Sequence, residues 1–350
     1  VKPPGVCQAH AVTDLETARR MTGRFVGPVT AIRPFGGGHI NETFLAESPH
    51  GDYVVQRMNT AVFPDPDGVT ANILAVHRHL RGALMPEPVA TPDGEWLVSD
   101  GSGSWRAWRR VEGAGPVGAP SPAALEAAGS LLGRFHALLA DLDPAGLTET
   151  LPGFHDPGRR LDALRAVIAA DPCGRAATVA EEIGMAFDAE PIVDLAADLS
   201  ARVPKRVAHF DAKVDNVLFA GAAAVCLVDF DTVMPGAWFW DVGDLLRSGS
   251  TTAAEDDPDR AVVEPERYRA ILDGYRVGLS AGGSPGIATP AELEAAEAAG
   301  AVVTYEQAVR FLTDWIAGDV YYRISRPDQN LDRARAQFRL LRSMPQGGGR

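Results

Sequence analysis

Val207-Ala-His-Phe-Asp-Ala-Lys-Val-Asp-Asn-Val-Leu-Phe219, followed by Ala224-Val-Cys-Leu-Val-Asp-Phe-Asp-Thr-Val233, is the stretch whose reading decides the fold. It sets Asp211 five residues ahead of Asn216 and then presents Asp229 directly after the apolar run Val225–Val228. A short apolar run bounded by turn residues reads as a buried strand, so Asp229 is expected at a rigid strand end. Val217–Phe219, the Ala/Gly-rich turn 220–224 and the strand 225–228 form a hairpin that would bring Asn216 and Asp229 together. His-x-Asp-x-x-x-x-Asn followed by strand-Asp is the arrangement of a phosphoryl-transfer site.

The residue types fit that chemistry. Phosphoryl transfer has a loose transition state, so a protein mainly positions groups and neutralises charge. Asp211 is placed to accept the proton of an attacking hydroxyl. Asn216 and Asp229 supply the oxygen ligands that magnesium, a hard cation, prefers, with nucleotide phosphates completing its shell. Taken singly, Asp211 and Asp215 could be solvated turn residues and Asp229 a strand-end cap. Both halves in order, with a hairpin between them, favour the catalytic reading.

Further stretches carry a family resemblance. They are Phe35-Gly-Gly-Gly-His-Ile-Asn-Glu-Thr-Phe44, Tyr53-Val-Val-Gln-Arg-Met-Asn59, Trp105 to Gly113, Asp229-Phe-Asp-Thr-Val-Met-Pro-Gly236, Asp241-Val-Gly-Asp-Leu-Leu-Arg247 and Arg310-Phe-Leu-Thr-Asp-Trp315. With the catalytic segment they make the chain resemble the aminoglycoside phosphotransferase and choline kinase superfamily. Gln-Arg-Met-Asn and Asp-Thr-Val-Met-Pro-Gly are narrower and point to its N-acetylhexosamine 1-kinase branch. The resemblance implies an α+β, bilobal, protein-kinase-like fold, with a small antiparallel-sheet N-lobe and a larger, mainly helical C-lobe. It also implies ATP as donor, Mg2+ as cofactor and a sugar or amino-sugar as acceptor. Within the family His209 and Asp241 would brace the catalytic loop, and Asp231 would be an additional metal ligand or a supporting residue.

The bulk properties agree. A chain of 350 residues can bury a substantial core and suits two lobes better than one. A net charge of −13 argues against nucleic acid or an anionic membrane surface as partner, since both require basic patches. Acidity could favour a cationic acceptor, but overall charge says little about one site. Cys7, Cys173 and Cys226 are too few and too scattered for a disulfide framework or a zinc site, which fits a reducing cytoplasm. Val1-Lys-Pro-Pro-Gly5 has no apolar signal core, and no run approaches membrane-spanning length.

Lys2, Lys205 and Lys213 are the only lysines. Protein kinases hold the α and β phosphates with a lysine on their third strand, and none lies where that strand must be. The strand candidate Tyr53–Met58 makes Arg57 the expected phosphate contact, through its bidentate fork. An exposed strand arginine is the alternative. The following helix, roughly 67–80, has no glutamate to pair with Arg57, and Asn72 is its nearest polar substitute. Upstream, Gly36-Gly-Gly38 between strands 29–34 and 43–47 permits close backbone approach to a ligand. The N–H groups of Gly37 and Gly38 and the Asn41 side chain would then cover the phosphates, although a flexible turn has the same composition. No Gly-Lys-Ser/Thr follows, so this is not a Walker A loop.

The chain divides near residue 112. Residues 1–112 form the nucleotide-covering lobe, and 113–350 the catalytic and substrate-binding lobe. Trp105–Gly113 reads as the last strand of the first lobe, and the backbone at Val111 and Glu112 would meet the adenine. Ser121-Pro122 opens a helix to about Asp141, and a helix pair over 159–202 leads to the catalytic segment. His136, on the first of these helices, reads as structural. Arg310, Asp314 and Tyr321, spaced by four and seven, share one helical face and are the candidate sugar-reading residues. A structural polar face is the alternative.

The reading that follows is magnesium- and ATP-dependent phosphorylation of a sugar hydroxyl, with the anomeric hydroxyl of an N-acetylhexosamine favoured by the resemblance. Its rivals are an aminoglycoside phosphotransferase or other amino-sugar or cyclitol kinase, and a catalytically silent nucleotide-binding regulator.

Overall fold

The computed structural model describes residues 13–36, 40–281 and 286–345. The chain enters through α1 (Leu15–Val26), whose first turn is capped by the Asp14 carboxylate, which accepts from the Thr17 N–H at 2.7 Å. Next come β1 (Ala31–Pro34), β2 (Glu42–Ser48), β3 (Gly51–Met58), α2 (Pro66–His79), β4 (Pro88–Val89), β5 (Val98–Asp100) and β6 (Gly103–Arg109). The six strands form one antiparallel sheet in the order β1-β2-β3-β6-β4, with β5 also paired to β6.

Alternation along the strands splits this sheet into two faces. Phe44, Ala46, Tyr53, Val55, Trp105 and Ala107 pack with Ala18, Met21 and Phe25 of α1. Val54, Met58 and Trp108 join Val69, Ile73 and Val76 of α2 in the main core. Here one expectation fails. Arg57 pairs in register with Trp105 and has the parity of Val55, so it belongs to the α1 face. Its Nη1 donates to Glu42 Oε2 at 2.8 Å and to Thr13 Oγ1 at 3.2 Å. Arg57 is therefore a strand-to-strand ion pair on the far side of the sheet, and not a phosphate contact.

The remainder is mainly helical: α3 (Pro122–Leu138), α4 (Pro157–Ala170), α5 (Ala180–Asp188) and α6 (Pro191–Arg202) precede β7 (Arg206–Ala208), and β8 (Val217–Ala220) and β9 (Ala223–Leu227) make a hairpin. Then come β10 (Met234–Gly236), antiparallel to β7, and the helices α7 (Phe239–Gly249), α8 (Pro265–Ala281), α9 (Pro290–Ala317) and α10 (Gln329–Ser343). The region read as a helix pair is three helices. Asp171 ends α4 in a left-handed conformation, and Pro191 starts α6 at a position where its missing N–H costs nothing. An antiparallel sheet at the N-terminal end joined to a helical C-terminal part is the expected architecture.

α3 and α8 cross with their backbones nearly touching. A Cβ on Gly129 or Gly133 would lie 2.2 Å from the carbonyl oxygen of Ile271 or Tyr275. A Cβ on Gly274 or Gly278 would meet those of Glu126 or Ser130 at 2.0 and 2.1 Å. Two Gly-x-x-x-Gly pairs thus remove side chains from both sides of one crossing. The pair carries His136 and Tyr275 toward the catalytic loop, so its spacing sets that of the site. Alanine normally suits a helix better than glycine by about 1 kcal/mol, but backbone cannot yield as a side chain can. Gly278→Ala is expected to destabilise the protein by about 1–3 kcal/mol in urea unfolding. Gly184→Ala, in α5 where an added Cβ meets nothing within 4 Å, is expected to stabilise it by up to about 1 kcal/mol.

Candidate active site

The catalytic segment leaves β7 at Ala208 and is held from below by Asp241, in the first turn of α7 and fully buried. The Asp241 carboxylate accepts the backbone N–H groups of His209 and Phe210 at 2.7 and 2.6 Å, and His136 Nε2 at 2.9 Å. His136 stacks flat on Trp238 at 4.7 Å and meets the Tyr275 hydroxyl through Nδ1. Its place is structural. Phe210 has φ 66, a left-handed conformation that a side chain resists. The two hydrogen bonds to Asp241 fix the peptide groups that lead into that bend. His209 donates from Nε2 to the Val228 carbonyl at 3.0 Å, and its Nδ1 accepts the Asp211 N–H at 3.3 Å. Burial lowers its pKa, outweighing nearby Asp241 and Asp211, which favours the neutral ring that this pattern requires. With both nitrogens engaged, His209 braces the loop and has none left to act as a base.

Asp211 sits beyond this brace. Lys213 Nζ and Asn216 Nδ2 both donate to its Oδ2, at 2.7 and 2.8 Å, and Oδ1 is uncommitted. Lys213 was not singled out from the sequence, although it is one of only three lysines and lies inside the motif. Burial would depress its ammonium, but Asp211, Asp229 and Asp244 outweigh burial and keep it protonated. Asn216 ends a single 3-10 turn, and its carbonyl accepts the Val228 N–H at 2.9 Å. The hairpin thereby brings Asn216 beside Asp229.

Asp229 itself has φ 66 and ψ 59. Such strain in a non-glycine residue persists where the surroundings dictate it, and here it falls where the chain leaves the β8–β9 hairpin for the 3-10 turn Phe230–Thr232. Its surface is open to solvent on one side, yet the surrounding protein, with Asp231 and Asp211 as like charges, pushes its pKa up to about 7 against Lys213 and Arg106. A divalent cation would relieve that crowding. Among the described residues no cluster of three His, Cys, Asp or Glu side chains is arranged to hold a metal ion unaided. One carboxylate and the free Oδ1 of Asn216 do fit a magnesium ion whose remaining ligands are phosphate oxygens and water.

From the sheet side, Asn41 donates to Asp231 Oδ2 at 2.6 Å and accepts the Asn59 N–H at 3.0 Å. Gly37 and Gly38 lie outside the described residues. Asp231, only 2 % exposed, is also ion-paired with Arg106. It is therefore occupied by two residues of the sheet unit and has little to offer a metal. Asn72 does not approach Arg57: its Nδ2 donates to the carbonyls of Thr148 and Val233 at 2.7 and 2.9 Å, pinning α2 to the segment after Asp229. Val111 is half-buried and Glu112 exposed. Both lie between β6 and the Gly115–Phe219 bridge that ties this connection to β8.

The candidate acceptor residues separate. Arg310 lies over the rings of Phe154, Tyr322 and Tyr321 at 5.5, 5.6 and 6.0 Å. Burial would lower its pKa, but the tyrosines, Glu306 and Asp211 hold it up. Tyr321 is not on the helix, since α9 ends at Ala317 and Gly318, with φ 100, turns the chain away. Its ring nevertheless returns to Arg310. Asp314 does not face the pocket. It accepts the N–H groups of Val320, Tyr321 and Tyr322 at 2.7–3.0 Å and the Asn330 amide at 3.0 Å, so it shapes the turn that presents the tyrosines. Phe154 and His155 lie between Pro152 and Pro157, in a segment for which the sequence analysis names no site residue. His155 stacks on Phe210 and Trp240 at 5.6 and 4.9 Å, and its Nδ1 meets Glu306 Oε2 at 3.0 Å. Arg247 is buried against Asp244 and Glu255.

The chain is similar in fold to several solved structures. Amicoumacin kinase, in complex with AMP-PNP and Ca2+, superposes with a TM-score of 0.61 at 14% identity, over 96% of this chain and 95% of that one. Spectinomycin phosphotransferase, bound to ADP and its antibiotic, gives 0.58 at 12% identity over 92% and 93%. Choline kinase from Streptococcus pneumoniae gives 0.55 at 13% identity over 95% and 100%. At these identities the likeness shows the protein-kinase-like fold. Residues 31–277, more than half of the chain, match the family model described as APH, phosphotransferase enzyme family. This protein therefore belongs to that phosphotransferase family, as a small-molecule kinase.

Proposed function

We propose that the protein transfers the γ-phosphoryl group of ATP to the anomeric hydroxyl of an N-acetylhexosamine, with nucleotide held between the sheet unit up to residue 112 and the helical unit from 113. The observation that carries this reading is an aromatic cluster next to the catalytic segment: Phe154 lies 6.4 Å from Phe210, the neighbour of Asp211 in the chain, and Arg310 lies over the rings of Phe154, Tyr321 and Tyr322. A sugar needs an aromatic platform for its C–H face and polar groups for its edge. Arg310 can donate to the carbonyl of an N-acetyl group. A polycationic aminoglycoside would meet a guanidinium where it needs carboxylates, so local charge favours a neutral acceptor over the one suggested by a net charge of −13.

Asp211 Oδ1 would orient the acceptor hydroxyl and take its proton as the new P–O bond forms and ADP leaves. Lys213, held on Asp211 Oδ2, would balance negative charge at the transferring group. Asn216 and Asp229 would hold Mg2+, which when bound supplies charge neutralisation on the phosphates. ATP as donor makes the cytoplasm the expected compartment.

Phosphorus NMR of products from purified protein, Mg2+–ATP and separate acceptors tests this. N-acetylglucosamine or N-acetylgalactosamine is expected to yield a sugar 1-phosphate, and glucosamine and kanamycin little product. Turnover with kanamycin alone would replace the proposed acceptor by an aminoglycoside. Silence with all four, with ATP binding retained, would favour a regulator. Asp211→Asn is expected to lower turnover by at least about 1,000-fold while leaving Mg2+–ATP affinity within about threefold. Asp229→Ala should lose both, and metal-dependent ATP binding retained in that variant would remove Asp229 from the ligand set.

A further inference from the structure

Arg106 lies on β6, in register with Gln56 of β3, one position out of phase with Arg57. Parity puts it on the sheet face opposite α1, the side that meets the helical unit. Its side chain is 4 % exposed, and its position is tightly specified. Nε and Nη2 donate to Gln56 Oε1 at 3.0 and 2.8 Å, Nη2 is ion-paired with Asp231, and the guanidinium lies over the Trp108 ring at 5.5 Å. Trp108 Nε1 donates to the same Gln56 oxygen at 3.1 Å, so Gln56 is locked as acceptor from both sides.

One end of this guanidinium is left over. Nη1 is buried and has no hydrogen-bond partner among the described residues. A buried donor of a charged group is costly to leave unmatched, and two N–H groups are involved here. Three lines of chain converge around it. Asp231, its ion-pair partner, is two residues beyond Asp229. Asn41, from the end of the glycine-rich hairpin, binds that same Asp231 at 2.6 Å. β3, where a kinase would carry its phosphate-binding lysine, presents Gln56 instead. The Arg106 guanidinium therefore lies where Asn41, the sheet and the turn after Asp229 meet.

We infer that Arg106 is the nucleotide-binding cation of the sheet unit: its Nη1 donates to the donor's β- or α-phosphate oxygens, while Gln56 and Asp231 fix the plane of the guanidinium. Asp231 neutralises the formal charge of Arg106, so the contribution is directional, two N–H groups aimed at phosphate, rather than a bare positive field. The pair Gln56 and Arg106 thus replaces a third-strand lysine with a neighbouring-strand arginine.

The inference rests on ATP as donor, and calorimetric titration with ATP, ADP and adenosine, each with Mg2+, tests both. Arg106→Met is expected to weaken ATP and ADP by about 10- to 100-fold and adenosine by no more than about twofold. Arg106→Lys, which keeps the charge but not the fork, should fall between that variant and the wild type. It carries the test if Arg106→Met does not fold. If ATP and adenosine weaken equally in these variants, or neither weakens, Arg106 is a structural tie between sheet and Asp231 and the inference is overturned. A wild-type protein that binds ATP no better than adenosine overturns it together with the donor reading.

Discussion

The carboxylate of Asp241 carries more of this architecture than any other single group. It is fully buried, and three donors converge on it: two successive backbone N–H groups of the catalytic segment and the ring of His136. A buried carboxylate is tolerable only when its lone pairs are satisfied, so α7, α3 and the catalytic segment have to arrive together. The left-handed bend at Phe210 follows from this, and the bend determines where Asp211 is presented. The glycine-lined crossing of α3 and α8 serves the same point, because His136 and its hydroxyl partner Tyr275 come from those two helices.

Charge is distributed around the site in matched pairs. Lys213 leans on Asp211, Arg106 on Asp231, Arg247 on Asp244, and His155 on Glu306. Asp229 is the exception. It has no ion-pair partner among the described residues, and its pKa is raised by the surrounding protein and by its acidic neighbours Asp231 and Asp211. That imbalance at one carboxylate, beside paired charges, supports the proposed cation site. The proposed acceptor side differs in kind, with a guanidinium framed by aromatic rings.

How much of this could be read from the chain varies by residue. Asp211, Asn216 and Asp229 were legible because their spacing is local: a 3-10 turn and a tight hairpin convert sequence separation into proximity with little freedom. Arg57 was misread because Gln56 and Arg57 are adjacent polar residues in one strand, and a shift of one position reverses the face. Only the packing of α1 on the odd-numbered side shows that Gln56 faces the site. Asp314 kept its helical spacing to Arg310, but the helix ends at Gly318, and the carboxylate caps the turn beyond it. Spacing on a helix indicates which side chains are neighbours; it does not indicate what each of them faces.

By itself the sequence determined the catalytic hairpin, the antiparallel sheet followed by a helical unit, and the absence of a lysine from the third strand, because these depend on local periodicity and residue type. The tertiary structure decided the rest. It showed that β6 supplies the guanidinium paired with Asp231, and that Phe154 and His155, between Pro152 and Pro157, join Arg310 and Phe210 in one cluster. It also showed that four glycines on two distant helices set one crossing. Each of these is a contact between segments far apart in the chain, set by the face each strand buries and by how closely two backbones can approach. Such contacts leave no period in the sequence to read.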